Sequence, residues 1–333
     1  STYIFDTDET GQRFIDALAE ARERGVDVRV LVDGFGEYYS WPRPVRRLRR
    51  RGVPAERFLP PRLLPPRMSL NLRNHHKILV VDGREGFTGG MNLGGRHLRR
   101  AGGDERDRVS DLHFRLHGPI LRQLEAEFLR AWELASGEPA EEPPEVPDSG
   151  EGIWCRTLTD GPDEDLDRIT MLLSATIAQA RERIDIMTPY FLPPREIIGA
   201  LQAASLRGVE VHLVLPEKNN LPFVHWAMRN MLWEVLYQGV RVHYQPAPFA
   251  HGKLFVVDGR YTLIGSSNWD ARSLRLNFEL QVEVFDADFA ERMSAFIADR
   301  ISAGRPVTLD EVDNRGLPER IRDSLCWLAT PYL

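Results

Sequence analysis

One nine-residue pattern occurs twice in this 333-residue chain, as HHKILVVDG from His75 and HGKLFVVDG from His251. Each copy runs on to a glycine turn, GFTGGMN ending at Asn92 and LIGSSN ending at Asn268, so the repeated string is H-x-K-x4-D-x6-G-[GS]-x-N. What precedes each copy also matches. In the first half, Gln12 to Arg24 reads as an amphipathic helix, GVDVRVLVDG as a buried strand, Val45 to Arg51 as a helix and GVPAERF as a strand. In the second, the same frame is Arg195 to Arg207, GVEVHLVLP, Val224 to Gln238 and GVRVHYQ. A tandem duplication of helices alternating with apolar, β-branched strands fixes the class as α/β and leads us to expect mixed, mostly parallel sheets. The second copy has an extra opening from Gly152 to Met187, with the strand IWCRTL, a helix from Asp165 to Ile177 and the strand RIDIM before TPYFLP. The first copy starts at TYIFD, which aligns with TPYFL, so it is expected to lack about one strand–helix pair of its repeat.

The repeated residues have a chemical logic. Alternation along a strand puts His75 and Lys77 on one face and turns His76 to the other; in the second copy the intervening residue is Gly252. The runs ILVV and LFVV read as strands buried on both faces. Asn92 and Asn268 end turns that can bring amide donors to an oxyanion. Brought together, two His, two Lys and two Asn form a phosphate site, in which cations and amides stabilise a pentacoordinate phosphorus while one imidazole attacks and the other protonates the leaving alkoxide. Such chemistry calls for no metal and no cofactor. A nucleophilic imidazole needs an acceptor at its other ring nitrogen, and Asp111 and Glu279, each downstream of its own motif, are the candidates. We group Asp82 and Asp258 with the catalytic set as members of the motif, although a carboxylate in VVDG fits a turn cap better than chemistry.

Charge is informative only when resolved along the chain. The net charge of -6 resides in the tract Glu138 to Glu151, which has six carboxylates and no Lys or Arg and reads as a Pro-rich linker. It divides residues 1–137, the first lobe, from 152–333, the second. Arg43 to Lys77 has eleven Lys and Arg against the single acid Glu56, interleaved with Phe58, Leu59, Leu63, Leu64, Met68, Leu70 and Leu72. That composition suits an anionic, partly apolar partner, with the proline-rich stretch RFLPPRLLPPRMSLNLRN as an interfacial loop. The helix Phe223 to Leu236 is apolar on more than one face and fits core packing as well as lipid. Cys155 and Cys326 form no zinc or disulfide pattern. No apolar run nears the roughly 18 to 20 residues of a membrane span, so a bilayer would be met from its surface.

At these residues the sequence resembles the phospholipase D superfamily, whose HKD signature it carries twice, and within it the bacterial cardiolipin synthases. The resemblance extends through GGMNLG, SDLHFRLHGP (Ser110 to Pro119), TPYFLP and, most specifically, GSSNWDARSLRLNFE (Gly265 to Glu279). It implies a phospholipase D fold of two tandem α/β/α lobes related by pseudo-twofold symmetry, with one site at their interface. It further implies a phosphohistidine intermediate with His75 as nucleophile and His251 as general acid/base. Lys77, Lys253, Asn92 and Asn268, with Ser266 beside them, would bind the phosphoryl oxygens. The implied reaction transfers a phosphatidyl group between two phosphatidylglycerol molecules, giving cardiolipin and glycerol, by a peripheral enzyme on the cytoplasmic face of a bacterial inner membrane. The Asn219–Asn220 pair departs from the family's pattern, in which an acidic residue is expected. A hydrolytic phospholipase D, or a transferase using another alcohol, would use the same site. The scaffold also supports nucleases, but few aromatics accompany the basic stretch for base stacking, so no nucleic acid is expected; intact pairs of His, Lys and Asn argue against an inactive membrane-binding module.

Overall fold

The computed structural model describes residues 1–63, 66–67, 71–98, 108–148, 150–161 and 166–330, with backbone alone for 62–63 and 66–67. Its helices are α1 (Glu9–Glu23), α2 (Pro44–Arg50), α3 (Ile120–Ser136), α4 (Arg168–Gln179), α5 (Arg195–Leu206), α6 (Pro222–Leu236), α7 (Ala271–Arg275), α8 (Ala287–Ala303), α9 (Leu309–Asp313) and α10 (Leu317–Leu328). The repeat frame foresaw α1, α2, α4, α5 and α6; α3 and α8, which close the two sheets, fall outside it.

The second half builds an eight-stranded sheet in the order Arg305–Val307, Arg241–Gln245, Glu210–Pro216, Arg183–Met187, Leu254–Val257, Tyr261–Gly265, Glu279–Phe285, Trp154–Asp160. The first half repeats the centre of that order with shorter pieces. Ala55–Phe58 runs parallel to Val30–Asp33, Thr2 bridges Val32 in parallel, and Ser1 exchanges backbone hydrogen bonds with Ile78 at 2.7 and 3.1 Å. Ile78–Val81, Glu85–Gly89 and His113–Leu116 then continue antiparallel.

The sheets are mixed, as expected, but not mostly parallel: in the large sheet two of the seven pairings are parallel. The reason is the turn that ends each motif. Asp82–Gly83 and Asp258–Gly259 have positive φ of 53°, 61°, 50° and 60°, a tight reversal that returns the chain beside the strand it has just left. In the large sheet the parallel pairs are those joined through α5 and α6.

Packing ties the halves together. Phe255 and Val257 join residues of α4, α5 and α6 in one cluster, while Leu254, Val256, Ile264, Leu280 and Val282 on the other face meet Ala290 and Ile297 of α8. That second cluster also takes in Ile78 and the α3 residues Ile120, Leu121 and Leu124, which share one helix face by their three- and four-residue spacing. LFVV is therefore buried throughout, as expected. ILVV is not: α3 covers one face, and Leu79 and Val81 remain exposed on the other. Because Leu121 belongs to a core shared by both halves, Leu121→Ala is expected to cost about 3 kcal/mol and to lower the midpoint of a single unfolding transition. Urea titrations followed by fluorescence and circular dichroism would check this; two separate transitions would contradict a shared core.

Residues 138–148 have no regular secondary structure and are pinned back along α3. Glu138 accepts from the Trp132 indole at 2.8 Å, Arg122 pairs with Glu142 and Glu145, and Arg29 with Glu141. Of the stretch expected to meet lipid, Phe58, Arg73 and Asn74 are buried at its two ends. The side chains of Leu63, Leu64, Met68 and Leu70 lie outside the described residues.

Candidate active site

Each motif begins by pairing with the opposite half. Asn74 bridges Phe278 in parallel, and the His75 amide donates to Phe278 O at 2.9 Å. Reciprocally, Phe249–Ala250 pairs with Val109–Ser110, and the His251 amide donates to Ser110 O at 2.7 Å. The residue after each partner, Glu279 or Asp111, consequently lands beside the imidazole of the other half. His75 Nδ1 is 3.0 Å from Glu279 Oε2, and His251 Nδ1 is 2.7 Å from Asp111 Oδ2. Both carboxylates named from the sequence do face imidazoles, but each serves the opposite motif rather than its own.

The electrostatics select one tautomer. Burial, reinforced by neighbouring lysines, lowers both imidazoles, His251 to about 3. Burial pushes the two carboxyls upward, but the facing His and Lys groups outweigh it and hold both at about 2. At neutral pH each site thus pairs a neutral imidazole with an ionised carboxylate. An ionised carboxylate only accepts, so Nδ1 carries the proton and Nε2 keeps its lone pair. Burial lowers Lys77 to about 7 and Lys253 to about 8. Lys77 Nζ donates to His75 O at 2.8 Å, and Lys253 Nζ lies 2.9 and 3.1 Å from the two ring nitrogens of His251.

His75, His251, Asn92 and Asn268 line one cleft of about 370 Å³. The turns that deliver the two asparagines require glycine. At Gly89 and Gly265 φ is 148° and 156°, and a Cβ would sit 2.4 Å from Leu112 O and 2.3 Å from Leu280 O. Asn92 Oδ1 accepts from the Ile4 amide at 3.1 Å and Asn268 Nδ2 donates to Ser273 Oγ at 3.2 Å, which fixes both side chains at the cleft wall. His76 turns away from the cleft, as expected, to line a separate cavity with Phe58, Asp160 and Phe278.

Three of the sequence-derived residues lie elsewhere. Asp82 and Asp258 occupy the turns at the far ends of the motif strands, and Asp258 accepts the amides of Arg181, Glu182 and Arg183 at 2.9 to 3.0 Å, fixing the start of Arg183–Met187. The Asp258 carboxylate thus holds the neighbouring strand, and neither aspartate lines the cleft. Ser266, expected to bind substrate, is buried behind Glu279 and donates to its Oε2 at 2.5 Å. Asn219 also has a local role, donating to Pro189 O and accepting from Leu221 N, whereas Asn220 lines the cleft and accepts from Tyr190 OH.

Other cleft residues were not singled out from the sequence. Tyr3 lies edge-on to His75 and Tyr190 edge-on to His251, with ring centroids 5.3 and 6.4 Å apart. Their matching places in TYIF and TPYF were the available signal. His97 lines the cleft with Nδ1 3.9 Å from Asp111 Oδ2 and had no counterpart to mark it, since the corresponding position in the second half is Ser273.

The family model described as "Cardiolipin synthase, PLD-like domain" matches residues 1–132 and 173–300, which include both motifs and both carboxylates. The chain belongs to that family. The major cardiolipin synthase ClsA of Bacillus subtilis (strain 168) is 32% identical to it over 335 residues, covering 99% of this chain and 69% of that protein. A cardiolipin synthase of Staphylococcus aureus (strain N315) is 30% identical over 335 residues, covering 99% and 67%. The crystal structure of phosphatidylserine synthase from Haemophilus influenzae Rd KW20 matches with a TM-score of 0.71 and 14% identity, covering all of this chain and 89% of that one, and so shares its fold. This phospholipase D-superfamily chain has, among its described residues, no helix long and apolar enough to cross a membrane.

Proposed function

We propose that the chain is a cardiolipin synthase that transfers a phosphatidyl group from one phosphatidylglycerol to another through a phosphohistidine. The observation that carries this reading is the pair of neutral imidazoles facing one cleft, each backed by an ionised carboxylate from the other half. On this reading residues 1–137 and 152–333 are two lobes related by pseudo-twofold symmetry, joined by 138–151. The enzyme works as a peripheral protein on the cytoplasmic face of the inner membrane.

His75 Nε2 attacks the phosphodiester phosphorus. The P–N bond forms as the P–O bond to glycerol breaks, and the imidazolium that develops is stabilised by Glu279. The proton for the departing glycerol oxygen comes from the Lys253 ammonium, 3.1 Å from His251 Nε2, and passes through that nitrogen, leaving Lys253 as the amine. The hydroxyl of a second phosphatidylglycerol then attacks phosphorus, returns its proton through His251 Nε2 to Lys253 and releases His75. Lys77, Lys253, Asn92 and Asn268 stabilise the negative phosphoryl oxygens in both steps.

Since the lysines act as cations, kcat/KM is expected to fall as pH rises through about 7 to 8, where Lys77 and Lys253 lose their protons. A pH–rate profile on phosphatidylglycerol measures this, and a profile flat to pH 9 would count against charged lysines. The reaction itself is tested by mass spectrometry of products from phosphatidylglycerol vesicles and from single-stranded DNA, with His75→Ala alongside. Cardiolipin and glycerol from the unsubstituted protein alone are expected. Phosphatidic acid would instead indicate a hydrolase, and cleaved DNA a nuclease.

A further inference from the structure

The loop between the Val30–Asp33 strand and α2, FGEYYSWPR, was not singled out in the sequence, yet it carries a concentration of exposed aromatic surface. Trp41 is 82% exposed, Tyr39 56% and Tyr38 52%. The backbone beneath them is held firmly. Buried Asp33 accepts the Phe35 and Gly36 amides at 2.8 and 2.9 Å, buried Glu37 pairs with Arg57, and Ser40 donates to Asp6 at 3.0 Å. The Arg43 guanidinium lies 4.1 Å from the centre of the Tyr38 ring. Large apolar rings are therefore displayed by a preorganised support instead of folding inward.

Position and charge give the loop a use. Tyr39 lines the cleft and contacts Tyr3, which itself lies against His75, so the loop forms part of the cleft mouth. Directly after it, α2 exposes Arg46 and Arg50, for which no ion pair occurs among the described residues; its neighbours Arg49 and Arg51 are matched by Glu56 and Asp16. Trp and Tyr next to unmatched arginines form the combination that settles at a lipid–water interface, with rings at the level of the headgroups and guanidinium groups on anionic phosphates.

We propose that the Tyr38–Arg43 loop and the exposed arginines of α2 form the surface that docks the enzyme on an anionic bilayer with the cleft mouth facing the lipid. The bilayer is the chosen partner because the reaction proposed above draws its substrate from one, and this inference rests on that reading. The exposed rings, moreover, all belong to one short loop, of which Tyr39 lines the cleft, whereas stacking successive bases of a nucleic acid needs aromatics spread along a path.

The test measures partition of the whole chain onto phosphatidylcholine vesicles with and without phosphatidylglycerol, for the unsubstituted protein, Trp41→Ala, Arg46→Glu/Arg50→Glu and Trp154→Ala. Trp154 is the control. It is 83% exposed but pairs with Phe285, at the end of its strand pair opposite the one where Glu279 meets His75. Trp41→Ala is expected to weaken binding to phosphatidylglycerol-containing vesicles about tenfold, and the charge reversal to abolish the preference for them, while Trp154→Ala binds normally. Trp41→Ala should still turn over short-chain phosphatidylglycerol dispersed as monomers, because it does not line the cleft. Unchanged vesicle binding by Trp41→Ala, or an equal loss in Trp154→Ala, would overturn the proposal. So would a loss confined to binding of a labelled single-stranded oligonucleotide. If the unsubstituted protein turns over no phosphatidylglycerol yet docks through Trp41, the docking surface stands and the proposed reaction falls.

Discussion

His75→Ala is expected to abolish phosphatidyl transfer, with kcat/KM falling by about 10⁴-fold or more. On the proposed mechanism His75 forms the covalent bond to phosphorus, His251 is needed for the proton, and both lysines are buried and engaged at their own histidines, Lys77 on His75 O and Lys253 on the His251 ring. His251→Ala should be almost as damaging, because a glycerol alkoxide leaving without a proton is a poor leaving group. The two act as a unit, so the double variant should be no worse than the worse single one. Product formation measured beside thermal unfolding separates lost chemistry from lost fold. Residual transfer within tenfold of the unsubstituted enzyme would remove His75 from the role given to it.

The second large effect concerns the exchanged carboxylates. Glu279→Gln is expected to lower kcat by about 10²- to 10⁴-fold while changing KM much less, by analogy with carboxylates that fix a catalytic imidazole's tautomer. The amide can still accept from Nδ1–H, but it no longer offsets the charge that develops on His75 as phosphorus bonds to Nε2. Asp111→Asn should do the same to His251. Because the pairs cross between halves, the downfield Nδ1–H proton resonance of His75 should move upfield in Glu279→Gln and stay in place in Asp111→Asn. The reverse pattern would mean that each carboxylate serves its own motif.

The sequence made much of this legible because the unit is duplicated. A repeat containing His, Lys and Asn at fixed spacing marks the His and Asn that line the cleft and the buried Lys that contact those histidines, and the frame of apolar periods locates α1, α2, α4, α5, α6 and their strands to within a few residues. It could not show the exchange of Glu279 and Asp111. That follows from two bridges between residues far apart in the chain, Asn74 to Phe278 and Ala250 to Ser110, and local periodicity has no information on such pairing. Strand direction was misjudged because helices before the motif suggested crossovers, while the VVDG turn after it sends the chain straight back.

Other differences are equally local in origin. A serine in a glycine turn looks like a phosphate ligand, but Ser266 faces Glu279 from behind, as the side chain next to a sheet bridge must. The apolar run ILVV implies two covered faces, and the fold covers one. Asp258 shows how a motif residue can be structural: three backbone amides converge on its carboxylate, and burial of its own is outweighed by those bonds, which hold it below the usual range.

The most direct test of the central claim is to mix the enzyme with phosphatidylglycerol, quench within milliseconds in alkali, where a phosphohistidine survives, and locate the adduct by peptide mass spectrometry. A phosphatidyl group on the peptide containing His75, absent in His75→Ala, is the result expected. Cardiolipin formed with no adduct at either histidine would contradict a covalent transfer, and an adduct on His251 alone would reverse the roles of the two halves.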